Sequence, residues 1–131
     1  MIVLDTHALV WWVDSGSKLS RKARQAIQAR ARRRELLVSA VSVFEIVTLE
    51  RRGRIAFKVS VSEWLTDLQM LPELSIHPIT AEIAERAGGF GDVFPGDPAD
   101  RMIAATALVL GAALVTHDTK LREVPGLRTV W

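Results

Sequence analysis

The sequence predicts a single α/β domain over residues 1–131, built around a parallel sheet. The first observation is that apolar runs of strand length alternate with helix-like segments, and turn residues fall between them. The second is size, because 131 residues, 49% of them hydrophobic, can bury one core without disulfide bonds or a structural metal. The third is continuity, since no internal repeat, low-complexity tract or linker divides the chain.

The first half of the chain contains two predicted strands and three predicted helices. The apolar run "MIVLD" is the first strand, and Thr6 is the expected N-cap of a helix over about residues 7–13. Ser20 can cap the basic helix that comes next. "ELLVS" is the second strand, and Ser42 with Glu45 has the spacing of a capping box before the third helix.

The second half continues the alternation. Ser62 opens the helix "SEWLTDLQML", and "LSIHPI" is a candidate short strand. Thr80 starts another helix, and a glycine-rich loop to residue 96 follows it. Asp97 as N-cap and Pro98 at the first helical position begin a further helix, which Gly111 stops. "AALVT" is a buried strand, and "LRTVW" is a last short candidate.

The composition excludes several classes of site. The sequence has no cysteine, which rules out disulfide scaffolds, thiol catalysis and cysteine-ligated metals and fits a reducing cytoplasm. The longest apolar stretch, residues 102–116, is shorter than the roughly 20 residues of a membrane-spanning helix. No basic segment precedes the acid at position 5, so no secretory signal is expected. We therefore expect a cytoplasmic protein in which oxygen or imidazole holds any metal.

The charge is distributed unevenly along the chain. Residues 18–34 contain eight basic side chains and no acid, whereas the whole chain has a net charge of only +2. Such a segment indicates a polyanionic ligand or an acidic partner surface, although many basic helices are simply solvated faces.

Five acids are predicted to lie at one edge of the sheet. Asp5 ends the first strand, Glu45 follows the second, Asp97 and Asp100 begin a later helix, and Asp118 follows "AALVT". Because the carboxyl ends of parallel strands lie along one edge, these side chains can meet there although they are distant in sequence.

Helix capping explains some of these acids better than others. Glu45 fits a capping box, Asp97 fits an N-cap, and Asp100 in a first turn suits the helix dipole. Asp5 and Asp118 fit that account less well, because a carboxylate that ends a buried run is costly unless a cation pairs with it. Clustered carboxylates suit Mg²⁺ or Mn²⁺, and an all-oxygen site of this kind points to phosphodiester hydrolysis.

Four segments together resemble the motifs of a known family. "LDTHALVWW", "SAVSVFEI", "GDPADRMIAATAL" and "LVTHD" are similar, in order and spacing, to the motif blocks of PIN-domain proteins, in particular VapC toxins of type II toxin–antitoxin pairs. The resemblance spans nearly the whole chain. It implies a three-layer α/β/α fold around a central parallel sheet of four to five strands, and an endoribonuclease that depends on Mg²⁺ or Mn²⁺.

The resemblance also implies roles for individual side chains. The catalytic acids would be Asp5, Glu45, Asp100 and Asp118, of which Asp5, Asp100 and Asp118 would hold the metal. Thr6 and Thr116 would support those acids without contacting the ion, and we expect the same of Asp97 from its position as a helix cap. An extra aspartate at 97 is not part of the motif, and its capping position suggests that it helps to place Asp100.

Partners follow from the same resemblance. A VapB-type antitoxin would cover the acidic site, and the chain would form homodimers, which can pair into larger toxin–antitoxin assemblies. The RNA substrate would contact the basic segment through its phosphates, and the proposed contacts are Arg21, Lys22, Arg24 and Arg30. The alternative interpretation is a non-catalytic RNA- or protein-binding module on a PIN-like fold.

Aromatic side chains near the first motif leave two interpretations open. Trp11 and Trp12 could stack on bases, but adjacent helical side chains point about 100° apart, which favours one core residue and one contact with a protein partner. His117, beside Asp118, is expected to be exposed.

Two other classes of phosphate-handling protein fit the sequence less well. A dehalogenase-like phosphatase needs an aspartate at position 7, where this chain has histidine, and a receiver-like domain needs a second acid near the first strand.

Overall fold

A computed structural model describes residues 1–92, 94 and 96–131. Within these residues five strands form one parallel sheet in the order β3-β2-β1-β4-β5. The strands are β1 (Ile2–Leu4), β2 (Leu36–Ser39), β3 (Leu74–His77), β4 (Ala113–Val115) and β5 (Thr129–Val130). The helices of the described part of the chain are α1 (Thr6–Asp14), α2 (Arg21–Ala31), α3 (Ala40–Arg51), α4 (Val61–Gln69), α5 (Ala81–Gly88), α6 (Pro98–Leu110) and α7 (Thr119–Arg122).

The sheet separates two hydrophobic cores. Successive strand residues point to opposite faces, so Ile2 and Leu4 lie in one core and Val3 lies in the other. Helices α1, α2 and α4 pack on the first face. Helices α6 and α7 pack on the second, and α5 packs on α6. The predicted three-layer α/β/α arrangement is confirmed, with five strands.

The register places the carboxyl ends of the central strands side by side. Leu4 at the end of β1 pairs with Val38 of β2 and Val115 of β4. Because every pairing is parallel, the segments that follow β1, β2 and β4 all emerge at the same edge of the sheet. We call this the carboxyl edge.

The predicted helix α6 agrees with the structure at both ends. Asp97 is the N-cap, Pro98 occupies the first turn, and Gly111 ends the helix in the left-handed region at φ 63°. Four consecutive small residues, from Ala104 to Ala107, are fully buried or nearly so, which lets the helix lie close to its neighbours. The glycine-rich loop predicted before it includes residues 93 and 95, which lie outside the described residues.

Two predicted caps were wrong. Asp5, not Thr6, caps α1, and Ser39, not Ser42, caps α3. Asp5 directly follows β1 and Ser39 is the last residue of β2, and the backbone of both residues is extended. Thr6 and Ser42 are instead buried inside their helices and contact each other.

Smaller differences concern two other helices. Helix α4 begins at Val61, one residue before the predicted opening at Ser62, and Ser60 is its cap. The single-turn helix α7, capped by Asp118, was not predicted. No helix among the described residues is both long enough and apolar enough to span a membrane.

Candidate active site

A cavity of about 380 Å³ lies at the carboxyl edge, and five of the ten described residues that line it are acids. The acids are Asp5, Glu45, Asp97, Asp100 and Asp118. The remaining lining residues are Thr6, His7, Trp11, Ile103 and His117. The structure therefore brings together every acid that the sequence placed at this edge.

Three of the acids are held in position by the first turns of helices. The Asp5 carboxylate accepts from the Ala8 N–H at 2.8 Å, and Asp118 accepts from the Lys120 N–H at 2.9 Å. Asp97 accepts from the Ala99 N–H at 2.9 Å. Each of these bonds uses one carboxylate oxygen, so lone pairs remain for a ligand. Capping and ligand binding are thus compatible in one side chain.

Glu45 is held by the neighbouring helix. The Thr6 hydroxyl donates to the Glu45 carboxylate at 2.5 Å and shares a second hydrogen bond with the Ser42 hydroxyl at 2.9 Å. Thr6 is only 3% exposed and Ser42 is fully buried, so this group of side chains has little freedom to move. The predicted supporting role of Thr6 therefore has a geometric basis.

Thr116 connects two acids from the end of β4. Its hydroxyl oxygen accepts from the Asp118 N–H at 3.0 Å, and the same side chain hydrogen-bonds to Asp5. Thr116 is completely buried. A hydroxyl at this position therefore links the end of β1 to the loop after β4.

Burial and mutual repulsion raise the pKa values of the central acids. Desolvation and then the charges of Asp97, Glu45, Asp118 and Asp5 raise the pKa of Asp100 to about 7. Burial likewise raises the pKa of Asp5 and of Glu45, although hydrogen bonds from Thr116 and Thr6 respectively lower them in part. The cavity therefore carries negative charge that its own residues do not neutralise.

The donor chemistry fits a hard divalent cation. Carboxylate oxygens are the ligands that Mg²⁺ and Mn²⁺ prefer, and no lysine or arginine occurs among the described residues that line the cavity. As the side chains stand, no three His, Asp or Glu residues of the described chain are arranged to hold a metal ion. The acids share one cavity, but their side chains do not stand in a metal-binding geometry.

The basic helix does not reach this cavity. Arg30 of α2 donates to Glu35 at 2.9 Å, at the opposite edge of the sheet, and Arg24 donates to the Gly16 carbonyl at 2.9 Å. Arg21 and Lys22 are exposed, and neither lines the cavity. The four cations proposed for RNA contact therefore lie outside the acidic cavity.

An aromatic group that the sequence did not predict borders the acids. Trp11 lies 5.6 Å from His7, 6.4 Å from His117 and 5.8 Å from Trp131, measured between ring centroids. His117 is exposed, as expected, and lies 4.8 Å from Trp131. Trp11 and Trp12 are both half-buried, so the expected division into one core residue and one surface residue is not sharp.

A second cavity of about 910 Å³ adjoins the first and shares Asp97 and Asp100 with it. Its walls include Phe90, Phe94 and Lys120. Although it is larger, it holds only two of the five clustered acids. The smaller cavity is therefore the candidate active site.

The chain matches the PIN-domain family model over residues 2–127 and therefore belongs to the PIN-domain family. It is also 39% identical to Ribonuclease VapC22 of Mycobacterium tuberculosis over 132 aligned residues, which cover 99% of this chain and 98% of that protein. It is thus a VapC-type member of the family, and the resemblance of its sequence motifs is confirmed.

Solved structures agree with this fold. A toxin–antitoxin complex from Klebsiella pneumoniae superposes with a TM-score of 0.64 at 22% identity, covering 97% of this chain and 95% of that chain. VapBC2 from Rickettsia felis, bound to a DNA fragment from its promoter, gives 0.69 at 18% identity, covering 98% and 97% respectively. At these identities the likeness establishes the fold alone.

Proposed function

We propose that this VapC-type protein is the toxin of a toxin–antitoxin pair and hydrolyses RNA phosphodiester bonds with Mg²⁺ or Mn²⁺ bound in the acidic cavity. The observation that carries the proposal is the gathering of five carboxylates in one cavity, where their repulsion and burial raise the pKa of Asp100 to about 7. PIN ribonucleases typically depend on a metal ion, and this donor set suits one.

In the proposed reaction Asp5, Asp100 and Asp118 would hold the ion. A bound Mg²⁺ supplies a polarised water and offsets the charge that develops on the phosphate oxygens. Glu45 would accept a proton from the water whose oxygen bonds to phosphorus, while the bridging P–O bond breaks and the leaving oxygen takes a proton from solvent. The raised pKa of Glu45 makes it a stronger base than an exposed glutamate. The Thr6 hydroxyl holds Glu45 in the orientation that this proton transfer requires.

The other two supporting residues act through the ligands. Asp97 caps α6 and so places Asp100 at the third helical position, where it lines the cavity. Thr116 holds Asp5 and the backbone of Asp118 together. We assign both residues to positioning rather than to chemistry.

The proposed partners follow from the same assignment. The structural neighbours include toxin–antitoxin complexes, which supports a VapB-type antitoxin that covers the acidic cavity. We also propose a homodimer, a cytoplasmic location, and RNA backbone contacts from Arg21, Lys22 and Arg24. Arg30 is the weakest of the proposed contacts, because Glu35 already pairs with it.

The decisive experiment is cleavage of RNA by the purified protein with and without Mg²⁺. We expect cleavage that EDTA stops, and a loss of at least about 10³-fold in Asp5→Asn and in Asp100→Asn, since losing the ion removes several kcal/mol of transition-state stabilisation. Asparagine is chosen because it preserves the N-cap at position 5. Circular dichroism checks that both variants remain folded.

Equal activity in the wild-type and Asp5→Asn preparations would identify a contaminating nuclease and refute the proposal. The alternative, a non-catalytic binding module on the same fold, predicts RNA or protein binding without cleavage. The five acids in one cavity favour the enzyme, because a binding module has no use for their mutual repulsion.

A further inference from the structure

We propose that Trp11, His117 and Trp131 form a stacking platform for one nucleobase of the RNA, directly beside the acids that act on its backbone. This inference rests on the proposed ribonuclease function and adds to it a subsite that no acid motif specifies. We call these three residues the aromatic platform.

The platform is built from three separate elements at the carboxyl edge. Trp11 lies on α1, His117 lies between β4 and α7, and Trp131 follows β5. Ring centroids of the three are 4.8 to 6.4 Å apart, with interplanar angles of 38° to 60°. Trp11 and His117 line the same cavity as Asp5, Asp100 and Asp118. Two of the three rings therefore face the same space as the acids, and Trp131 contacts both of them from behind the cavity lining.

The backbone beneath the platform is firmly held. The Thr116 N–H donates to the Val130 carbonyl at 3.2 Å, which joins the residue before His117 to the residue before Trp131. Arg122 donates to the His117 carbonyl at 3.3 Å. Trp11 and Trp131 both pack against the core of the first sheet face. Little ordering is therefore needed when a ligand binds, which favours affinity.

The chemistry of the cavity favours a base over an apolar protein side chain. Among the described residues that line it, Ile103 alone is aliphatic, so a hydrophobic anchor would gain little. Flat indole and imidazole rings are the surfaces on which unpaired bases stack. When a phosphate of the RNA lies at the acids, the base of the same nucleotide can reach the aromatic platform. The same position is unsuited to a base-paired duplex, so the expected substrate is single-stranded RNA.

The chain offers a matched control within its own tryptophans. It has four tryptophans and no tyrosine, so its intrinsic fluorescence reports on Trp11, Trp12, Trp64 and Trp131 alone. Trp12 is half-buried against the same core as Trp131, and Trp64 stacks on Phe57 away from the platform. Trp12→Leu is therefore the control for Trp131→Leu.

The test measures kcat and KM for a short single-stranded RNA and for a series in which each base in turn is replaced by an abasic site. In the wild type, the abasic change next to the cleaved bond is expected to raise KM about tenfold. In Trp131→Leu the intact RNA should show the same rise, and the abasic change should add nothing, because both remove one contact. Trp12→Leu should keep the wild-type pattern.

Binding without cleavage gives a second readout. In an Asp100→Asn background, RNA should quench the tryptophan fluorescence, and the quenching should fall in Trp11→Leu and His117→Ala but persist in Trp64→Phe.

If Trp131→Leu weakens the binding of intact and abasic RNA by equal factors, the rings are only structural and the proposal is overturned. If all RNA measurements are unchanged in the platform variants, the rings serve a protein partner instead, which also overturns it. Failure of the ribonuclease function itself would appear separately, as Mg²⁺-independent activity retained by Asp100→Asn.

Discussion

The two edges of the sheet treat their acidic side chains in opposite ways. At the opposite edge, where the strands begin and which we call the amino edge, the Glu35 carboxylate lies 2.9 Å from Arg30 and 3.6 Å from the N-terminal ammonium. The hydrogen bond from Arg30 holds the pKa of Glu35 below its usual range. At the carboxyl edge, burial and neighbouring acids raise the pKa of Asp100 to about 7. At the amino edge, cations of the chain itself therefore pair with the carboxylate. The arrangement at the carboxyl edge costs stability, which a bound cation would offset, and clustered acids with raised pKa values are typical of functional sites.

The largest expected effect separates the two aspartates at the start of α6. Asp100→Asn should lower kcat by about 10³-fold, because it removes a proposed ligand. Asp97→Asn should lower kcat by only about tenfold, because asparagine still caps the helix and the ligand set is intact. Steady-state cleavage assays at saturating Mg²⁺ measure both. Equal losses would show that Asp97 is itself a ligand.

A somewhat smaller effect is expected at Thr6. Thr6→Val keeps the shape of the side chain but leaves Glu45 and Ser42 without their shared partner. We expect kcat to fall about 10- to 100-fold and the free energy of unfolding to fall by about 1–2 kcal/mol. Thr6→Ser restores the hydroxyl and should recover most of both. If Thr6→Ser recovers stability but not kcat, the Thr6 hydroxyl stabilises the fold without orienting Glu45 for catalysis.

The carboxyl edge should also make stability depend on pH. Because the pKa of Asp100 rises from 3.8 to about 7 on folding, the folded chain binds more protons than the unfolded chain between these values. Stability from this group is present below about pH 4 and is lost as the pH rises to about 7. In calorimetry, Asp100→Asn should therefore raise Tm by on the order of 10 °C at pH 8 and leave it nearly unchanged at pH 4.

Magnesium provides the complementary measurement. Addition of Mg²⁺ at pH 8 should raise the Tm of the wild type, because an ion that binds only the folded chain stabilises it. The same addition should have little effect on Asp100→Asn. A wild-type Tm that does not respond to Mg²⁺ or Mn²⁺ would argue against a metal at this edge.

The smallest effect is expected at the amino edge. Glu35→Gln removes an exposed ion pair, and such pairs contribute little in water. We expect a decrease in Tm of less than about 2 °C at pH 7, which disappears as the pH falls below the ordinary pKa of glutamate, and no change in cleavage. A large loss of activity in this variant would mean that the two edges are coupled.

The sequence was sufficient for features that depend on local chemistry. Helix α6 begins and ends as predicted, with Asp97 and Pro98 at its start and Gly111 at its end. A cap, a fixed φ angle and a left-handed glycine each act within one helical turn, so a short stretch of sequence is enough to predict them. The gathering of the five acids was also predicted, because a parallel sheet brings the ends of its strands to one edge.

Other features depend on contacts between distant segments. Asp5 and Thr6 can both cap a helix, and the choice depends on where pairing with β2 and β4 ends β1. The same reasoning applies to Ser39 and Ser42. The contact of Trp131 with His117 requires the pairing of β4 with β5, since 14 positions separate the two residues in the printed sequence. Periodicity within a segment carries no information about such contacts.

The capping bonds of Asp5, Asp97 and Asp118 have a genetic consequence. Asparagine caps a helix about as well as aspartate, and their codons differ by one base. A single transition at Asp5 or Asp118 can therefore remove a proposed ligand while the helix start, and with it the folded domain, survives. For a toxin gene, one point mutation is then enough to remove toxicity. The product is still a folded protein that an antitoxin can recognise. Survivors of forced overexpression should be enriched in these substitutions relative to changes that disrupt the core.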